Sequence, residues 1–338
     1  MEQVLGAFSR RRALMTMAAA AVVPSVVARG SATASGVKRP IADDAHRNGA
    51  GFHRFGIGSI EATAFTDGGM VISPIQPTFA SGATPEELNA ALTKAFHPLD
   101  KANLEINVLC VRMGKETVLF DAGNGAAAAN RLIPAMMAAG IDPGSVTGVV
   151  LSHAHPDHIA GGIDADGKSA FANARWFVNK AEHDFWTAAT QTAPDFAFGA
   201  DAMKGMAAGA QKVFGAVKGK LELVKGGDKV IDGLEFIDTP GHTAGHMSAI
   251  VSDGDSQMAV IGDLAHNHVV MFANPAWTIG FDADKKAAVA SRIKMFDRLA
   301  ADRVRVFGYH LPWPGLGHIR KDGAGYEWVI EPWSWNAK

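Results

Sequence analysis

Residues 149–162 form an apolar run that stops abruptly at His153, His155, Asp157 and His158, with Gly161 and Gly162 just beyond. A strand that ends in three histidines and an aspartate within six positions is a constraint on the whole chain. Imidazole nitrogen and carboxylate oxygen are the ligands that borderline divalent ions such as zinc accept, and one turning loop can present several of them at once. A single ion cannot take all four from so tight a turn. Two neighbouring ions can, with His153 and His155 facing one and Asp157 and His158 facing the other. A merely solvated loop would give no reason for a core-type strand to end there.

The chain has 338 residues, 48% of them hydrophobic, enough to bury a large core in one domain behind a leader. A net charge of −2 and basic residues scattered beyond the first dozen positions leave no footprint for nucleic acid. The single cysteine, Cys110, lies in the apolar run from Leu104 to Val111 and reads as a small buried hydrophobe. Arg10 and Arg11 precede an uncharged stretch from Ala13 to Ala28, shorter than a membrane span needs and shaped like an export signal. Residues 1–34 are therefore expected to be a twin-arginine-type signal, with a disordered or anchoring N-terminal helix as the alternative. Residues 35–56 read as a linker, and 57–338 as the functional domain. The implied destination is the periplasm or the exterior. The implied partners are the export machinery and a small-molecule substrate, with a homodimer left open.

Short β-like runs appear at Ile60 to Phe65, Leu104 to Met113, Thr117 to Phe120 and Val146 to Leu151. Further runs lie at Arg175 to Val178, Leu221 to Val224, Leu234 to Asp238, Ala249 to Val251, Met258 to Ile261 and Val304 to Phe307. Helices are expected after Thr84, from Ala126 to Ala139, from Lys180 to Thr190, around Asp201 to Val217, and from an Asp282 cap to Ala301. Two groups of strands, each with helices alongside, imply two sheets packed face to face with helices outside. Further candidate ligands follow strand ends: His242 after Leu234 to Asp238, Asp263 after Ala259 to Ile261, and His310 after Val304 to Phe307. Asp121, at the end of another strand, is a candidate for orienting the ligand loop from behind, and a turn-capping role is equally open.

His153, His155, Asp157, His158, His242, Asp263 and His310 resemble, in order and context, the ligand set of the metallo-β-lactamase superfamily. The resemblance implies an α+β, four-layer αββα sandwich. The segments His153 to Gly162, Asp184-Phe185-Trp186 and His310 to Ile319 look most like the methyl parathion hydrolase group. Carried over residue by residue, His153, His155 and His242 would hold one ion, Asp157, His158 and His310 a second, and Asp263 both. Zinc is the expected metal, two ions per chain. A metal-bridging hydroxide would be the nucleophile, because binding to zinc lowers the pKa of water to about 7, and a shared carboxylate and hydroxide let two cations sit about 3.5–4 Å apart. Asp157 or Asp263 would carry the proton.

Trp186, Phe196, Phe198, Trp313 and His266 are candidate substrate-wall residues, and His318 is a candidate for support from behind the ligands; His268 is a weaker wall candidate. No arginine lies in the ligand loops, so neutral lactones, aryl esters or phosphotriesters are expected over phosphate monoesters. The aromatic that the parathion-hydrolase group carries after the Asp121 loop is missing from Gly125 to Ala129. A tyrosine beside the metals, expected of lactonases, has no clear counterpart. The rival readings are a mononuclear iron sulfur dioxygenase of the same superfamily and a non-catalytic metal-binding scaffold. The export reading has a direct check: replacing Arg10 and Arg11 with lysine should trap precursor in the cytoplasm, and unchanged export would show that the leader is misread.

Overall fold

The computed structural model describes residues 51–125 and 131–332. The signal expected over residues 1–34 and most of the linker lie outside the described residues. Where the linker was expected to continue to residue 56, strand β1 (Phe52–Ile57) already pairs with β2 (Ile60–Ile72) in antiparallel register.

Seven strands form the first sheet in chain order: β1, β2, β3 (Ala102–Met113), β4 (Glu116–Phe120), β5 (Gly148–Val150), β6 (Arg175–Asn179) and β7 (Leu221–Val224). The pairing is antiparallel as far as β4 and parallel from there to β7. Six strands form the second sheet, β8 (Leu234–Asp238), β9 (Met247–Asp253), β10 (Ser256–Val260), β11 (Arg305–Phe307), β12 (Leu316–Asp322) and β13 (Gly325–Ile330). Only β10 and β11 run parallel there. Strands β12 and β13 are not expected from the sequence, because glycines and charges interrupt their apolar alternation.

Helices α1 (Pro85–Lys94), α2 (Leu132–Ala138), α3 (Pro156–Ile159), α4 (Lys180–Thr187), α5 (Gly199–Val217), α6 (Val270–Ala273) and α7 (Lys285–Ala301) complete the described residues. Thr84 caps α1 through a full capping box with Glu87. The helix expected from Ala126 begins, within the described residues, at Leu132. The cap of α7 is Asp284, whose side chain accepts from Ala287 N, and not Asp282. Asp282 is used elsewhere.

Side-chain alternation on the strands sorts the core into layers. On β3, Ile106, Val108 and Cys110 face outward to Met136 of α2 and Val213 and Phe214 of α5. Leu109 and Val111 face inward to Val251, Met258 and Val260 of the second sheet. On the far side Ile250, Ala259 and Val306 pack with Met295, Phe296 and Leu299 of α7. Three apolar layers between four layers of elements make an αββα sandwich, as the sequence implies. Cys110 is 2% exposed, and burial pushes its thiol up to about 12, so it is not a nucleophile at neutral pH.

Because β4 to β6 are mutually parallel, as are β10 and β11, their C-terminal loops gather at one end of the sandwich. Met247 N donates to Ser152 O there, joining a loop of the first sheet to the second at 2.9 Å. Fully buried Asn107 on β3 makes a second tie, donating through Nδ2 to Gly308 O and Leu311 O at 3.2 and 2.7 Å. Asn107→Leu strands both carbonyls and is expected to lower unfolding free energy by about 1–3 kcal/mol per carbonyl left unpaired. A denaturation midpoint equal to that of the parent chain would show that the tie is dispensable.

Candidate metal centre

His153 and His155 leave β5 in the loop before α3, whose first turn carries Asp157 and His158. His242, Asp263 and His310 arrive from the loops after β8, β10 and β11. The structure brings all seven together. His153, His155, His242 and Asp263 form one group, Asp157, His158 and His310 a second, and Asp263, His266 and His310 a third. Asp263 is the centre of the arrangement. Its Oδ2 lies 3.2 Å from His242 Nε2 and 3.3 Å from His310 Nε2, and its Oδ1 lies 3.2 Å from His158 Nε2.

Each ring has an inner and an outer nitrogen, and in four of the five ligand histidines the outer one, Nδ1, is occupied. His158 Nδ1 donates to Asp121 Oδ2 at 2.9 Å, and His242 Nδ1 donates to Asp282 Oδ1 at 2.9 Å. His310 Nδ1 donates to the Glu105 carbonyl at 2.5 Å. Ser152 Oγ gives its proton to Asp121 Oδ2, so it accepts from His153 Nδ1 at 3.0 Å. Four imidazoles therefore turn Nε2 toward the centre, where His153 Nε2 and Asp263 Oδ1 are buried without a hydrogen-bond partner. His158 Nε2 stands 3.4 Å from His310 Nε2, and His242 Nε2 stands 3.0 Å from His155 Nδ1. Inward lone pairs backed by outer acceptors are the arrangement of ligand histidines, and the residues fit a bound divalent metal.

The charges agree. Burial works to neutralise Asp263, but His158, His310 and His266 hold its carboxyl well below the usual range. Burial opposes charge on His242 too, yet Asp263 and Asp282 lift it to about 9, so a cation held there takes the place of a proton on its Nε2. Burial and neighbouring histidines keep His153 and His155 well below the ordinary imidazole value. Carboxylates this deeply buried call for compensating positive charge, which a cation supplies.

Several residues support the ligands in roles that the sequence expectations did not give them. Asp282 is one, and His246 is another: its Nε2 accepts from Asp263 N at 2.9 Å, and burial brings it to about 3, neutral. Tyr309 stacks on His158 with ring centroids 3.8 Å apart, and its hydroxyl donates to the Asp157 carbonyl at 2.6 Å. A tyrosine thus stands beside the ligands after all, with its hydroxyl committed to the backbone. Gly161 is needed for space as well as for a turn, since a Cβ there would lie 2.1 Å from Ala122 O.

The candidate walls divide. Trp186 is fully buried, its Nε1 donates to Glu182, and its ring packs edge to face with His155; the core takes it because the helix turns that face inward. Trp313 packs against the layer between the sheets. His318 lies on β12 opposite Arg305 and, among the described residues, hydrogen-bonds no ligand. Phe196 and exposed Phe198 pack edge to face, and Phe281 stacks on Phe198 at 4.3 Å and reaches His155 at 6.2 Å. His266 donates through Nε2 to Asp263 Oδ2 at 2.9 Å and, with His310, opens onto a cavity of about 560 Å³. Lys101, Asn103, Glu105, His97 and His268 also line that cavity, so one side of the site is polar where apolar walls were expected.

An αββα sandwich whose strand ends carry this constellation is the architecture of a metal-dependent hydrolase. A family model described as the metallo-beta-lactamase superfamily matches residues 103–306, and the chain belongs to that superfamily. The structure of AidC, a dizinc quorum-quenching lactonase in complex with the product N-hexnoyl-L-homoserine, superposes with a TM-score of 0.80 and 32% identity, covering 84% of this chain and 98% of that one. The hydrolase AbOPH superposes with a TM-score of 0.79 and 28% identity, covering 85% and 100%. An N-acyl homoserine lactonase from a Bacillus species is 24% identical over 165 residues, and this match spans 49% of the chain and 56% of that relative.

The outer partner of His242 can be tested alone. Asp282→Asn keeps the side-chain shape and removes the charge, and zinc affinity in a chelator competition is expected to fall about 10- to 100-fold. Unchanged affinity with an unchanged circular dichroism spectrum would show that Asp282 does not tune the ligand.

Proposed function

We propose that the protein is an exported dinuclear zinc hydrolase of small neutral esters, lactones foremost. The observation that carries this reading is one buried carboxylate, Asp263, set between two ligand groups, His153, His155 and His242 on one side and Asp157, His158 and His310 on the other. A single-ion centre would leave the second group without a ligand role. When bound, two such ions polarise a carbonyl oxygen and make water acidic enough to act as a nucleophile near neutral pH.

The chain's own residues do the rest. Asp157 is the carboxylate that can exchange a proton with solvent, its side chain 18% exposed against 3% for Asp263. Its Oδ2 is suited to hold and return that proton. The Phe196, Phe198 and Phe281 wall offers an apolar arm to the substrate, and the cavity beside His266 and His310 offers hydrogen bonds to its polar arm. One lysine, Lys101, is a thin counterpart for a dianion, so phosphate monoesters fit poorly. The word lactonase in the names of two relatives supports the same choice. The likeness of the ligand loop and tail to the methyl parathion hydrolase group keeps phosphotriesters among the slower substrates. The paired arginines before an uncharged run support export to the periplasm or beyond.

The test is metal analysis joined to a substrate panel on the same zinc-loaded protein. About two ions per chain are expected, with a lactone and an aryl ester turned over faster than a phosphotriester and a phosphate monoester least. One iron per chain with full activity would overturn the dinuclear reading, and preference for the monoester would overturn the pocket reading.

A further inference from the structure

Glu182 lies in the first turn of α4, yet it is 0% exposed, and burial raises its carboxyl above the usual range. A glutamate is rarely taken so far from water unless its oxygens are fully matched. Here they are. Oε1 accepts from Ala154 N at 2.9 Å and from Trp186 Nε1 at 2.6 Å. Oε2 accepts from Thr243 Oγ1 at 2.6 Å and from Gly245 N at 2.9 Å.

The four donors are not a random set. Ala154 is the spacer between His153 and His155, on the loop that leaves the first sheet. Thr243 follows His242 and Gly245 precedes His246, on the loop that leaves the second sheet. Trp186 packs edge to face with His155, with centroids 5.6 Å apart. One carboxylate therefore holds the His153 and His155 loop with one oxygen and the His242 loop with the other. The approach is close enough that a Cβ on Gly245 would fall 2.1 Å from Glu182 N.

We propose that Glu182 is a positioning residue that sets the separation of the two loops supplying His153, His155 and His242, without itself touching metal or substrate. This rests on the metal reading above. The helix anchors the device from behind: Asn179 caps α4 by accepting from Ala181 N, and its Nδ2 donates to Asp238 Oδ1 on β8. Glu182 thus rides on an element tied to both sheets. Its two oxygens form a bracket of fixed width, whereas an apolar residue there would leave two backbone N–H groups buried and unpaired.

Glu182→Gln preserves the shape but presents an amide NH2 where two donors converge. Zinc affinity measured by chelator competition is expected to fall about 10- to 100-fold, in the range found when outer partners of ligands are lost. Cobalt(II) loaded in place of zinc should show altered visible absorption bands, a readout that loss of global stability alone would not move. Folded Glu182→Gln protein with the parent's zinc affinity and cobalt spectrum would overturn the proposal. So would a lowered Tm accompanied by both unchanged. If Glu182→Gln fails to fold, Thr243→Val decides, because it removes one donor and leaves three: a several-fold loss of affinity supports the bracket, and no change overturns it. Parent protein that takes up neither zinc nor cobalt would overturn the metal reading and the bracket with it, a failure visible before any variant is made.

Discussion

The structure depends on placing negative charge where water cannot reach it. Asp263, Asp282 and Asp121 sit at 3%, 0% and 2% exposure at one end of the sandwich. Each would be expelled or protonated if it were alone. They persist because imidazoles surround them, and four of the imidazoles hold their places because two carboxylates, a serine hydroxyl and a backbone carbonyl take their outer protons. Neither half of the arrangement is stable without the other, and together they leave inward lone pairs that a divalent cation completes.

That mutual dependence explains why the site lies at strand ends. A strand delivers its last residue to a fixed point, while the loop beyond it is free to turn side chains inward. Six segments converge, three from each sheet: the Asp121 loop, the His153 to His158 segment and helix α4 follow strands of the first sheet, and the His242, Asp263 and His310 loops follow strands of the second. The inter-sheet layer of Leu109, Val111, Val251, Met258 and Val260 keeps the sheets in step, and hence the loops. Where step at the rim matters most, polar ties reinforce it: Met247 to Ser152, Asn107 to the 308–311 turn, and Glu182 across the two histidine loops.

The same logic redistributes residues that look interchangeable in sequence. Asp282 and Asp284 both precede a helix, and either would make a cap; the one that faces His242 is drawn into the site and its neighbour caps the helix. Trp186 and Phe281 are both aromatics near the ligands. The indole has an N–H to satisfy and goes to Glu182 in the core, while Phe281 has none and joins the Phe198 wall.

The ligand chemistry is legible in the sequence because it is local: three histidines and an aspartate within six positions, at the end of an apolar run, define donors and spacing in a single turn. The two-sheet architecture is legible for a similar reason, since strand alternation repeats over a few residues. The outer partners are not legible. Asp282 lies 40 residues from His242, and Glu182 lies 28 residues from Ala154 and 63 from Gly245. Asp and Glu are common enough that no spacing singles these out. Only the packed sandwich decides which acid meets which imidazole or N–H, because burying a charge is tolerable at the few points where donors from distant loops arrive together.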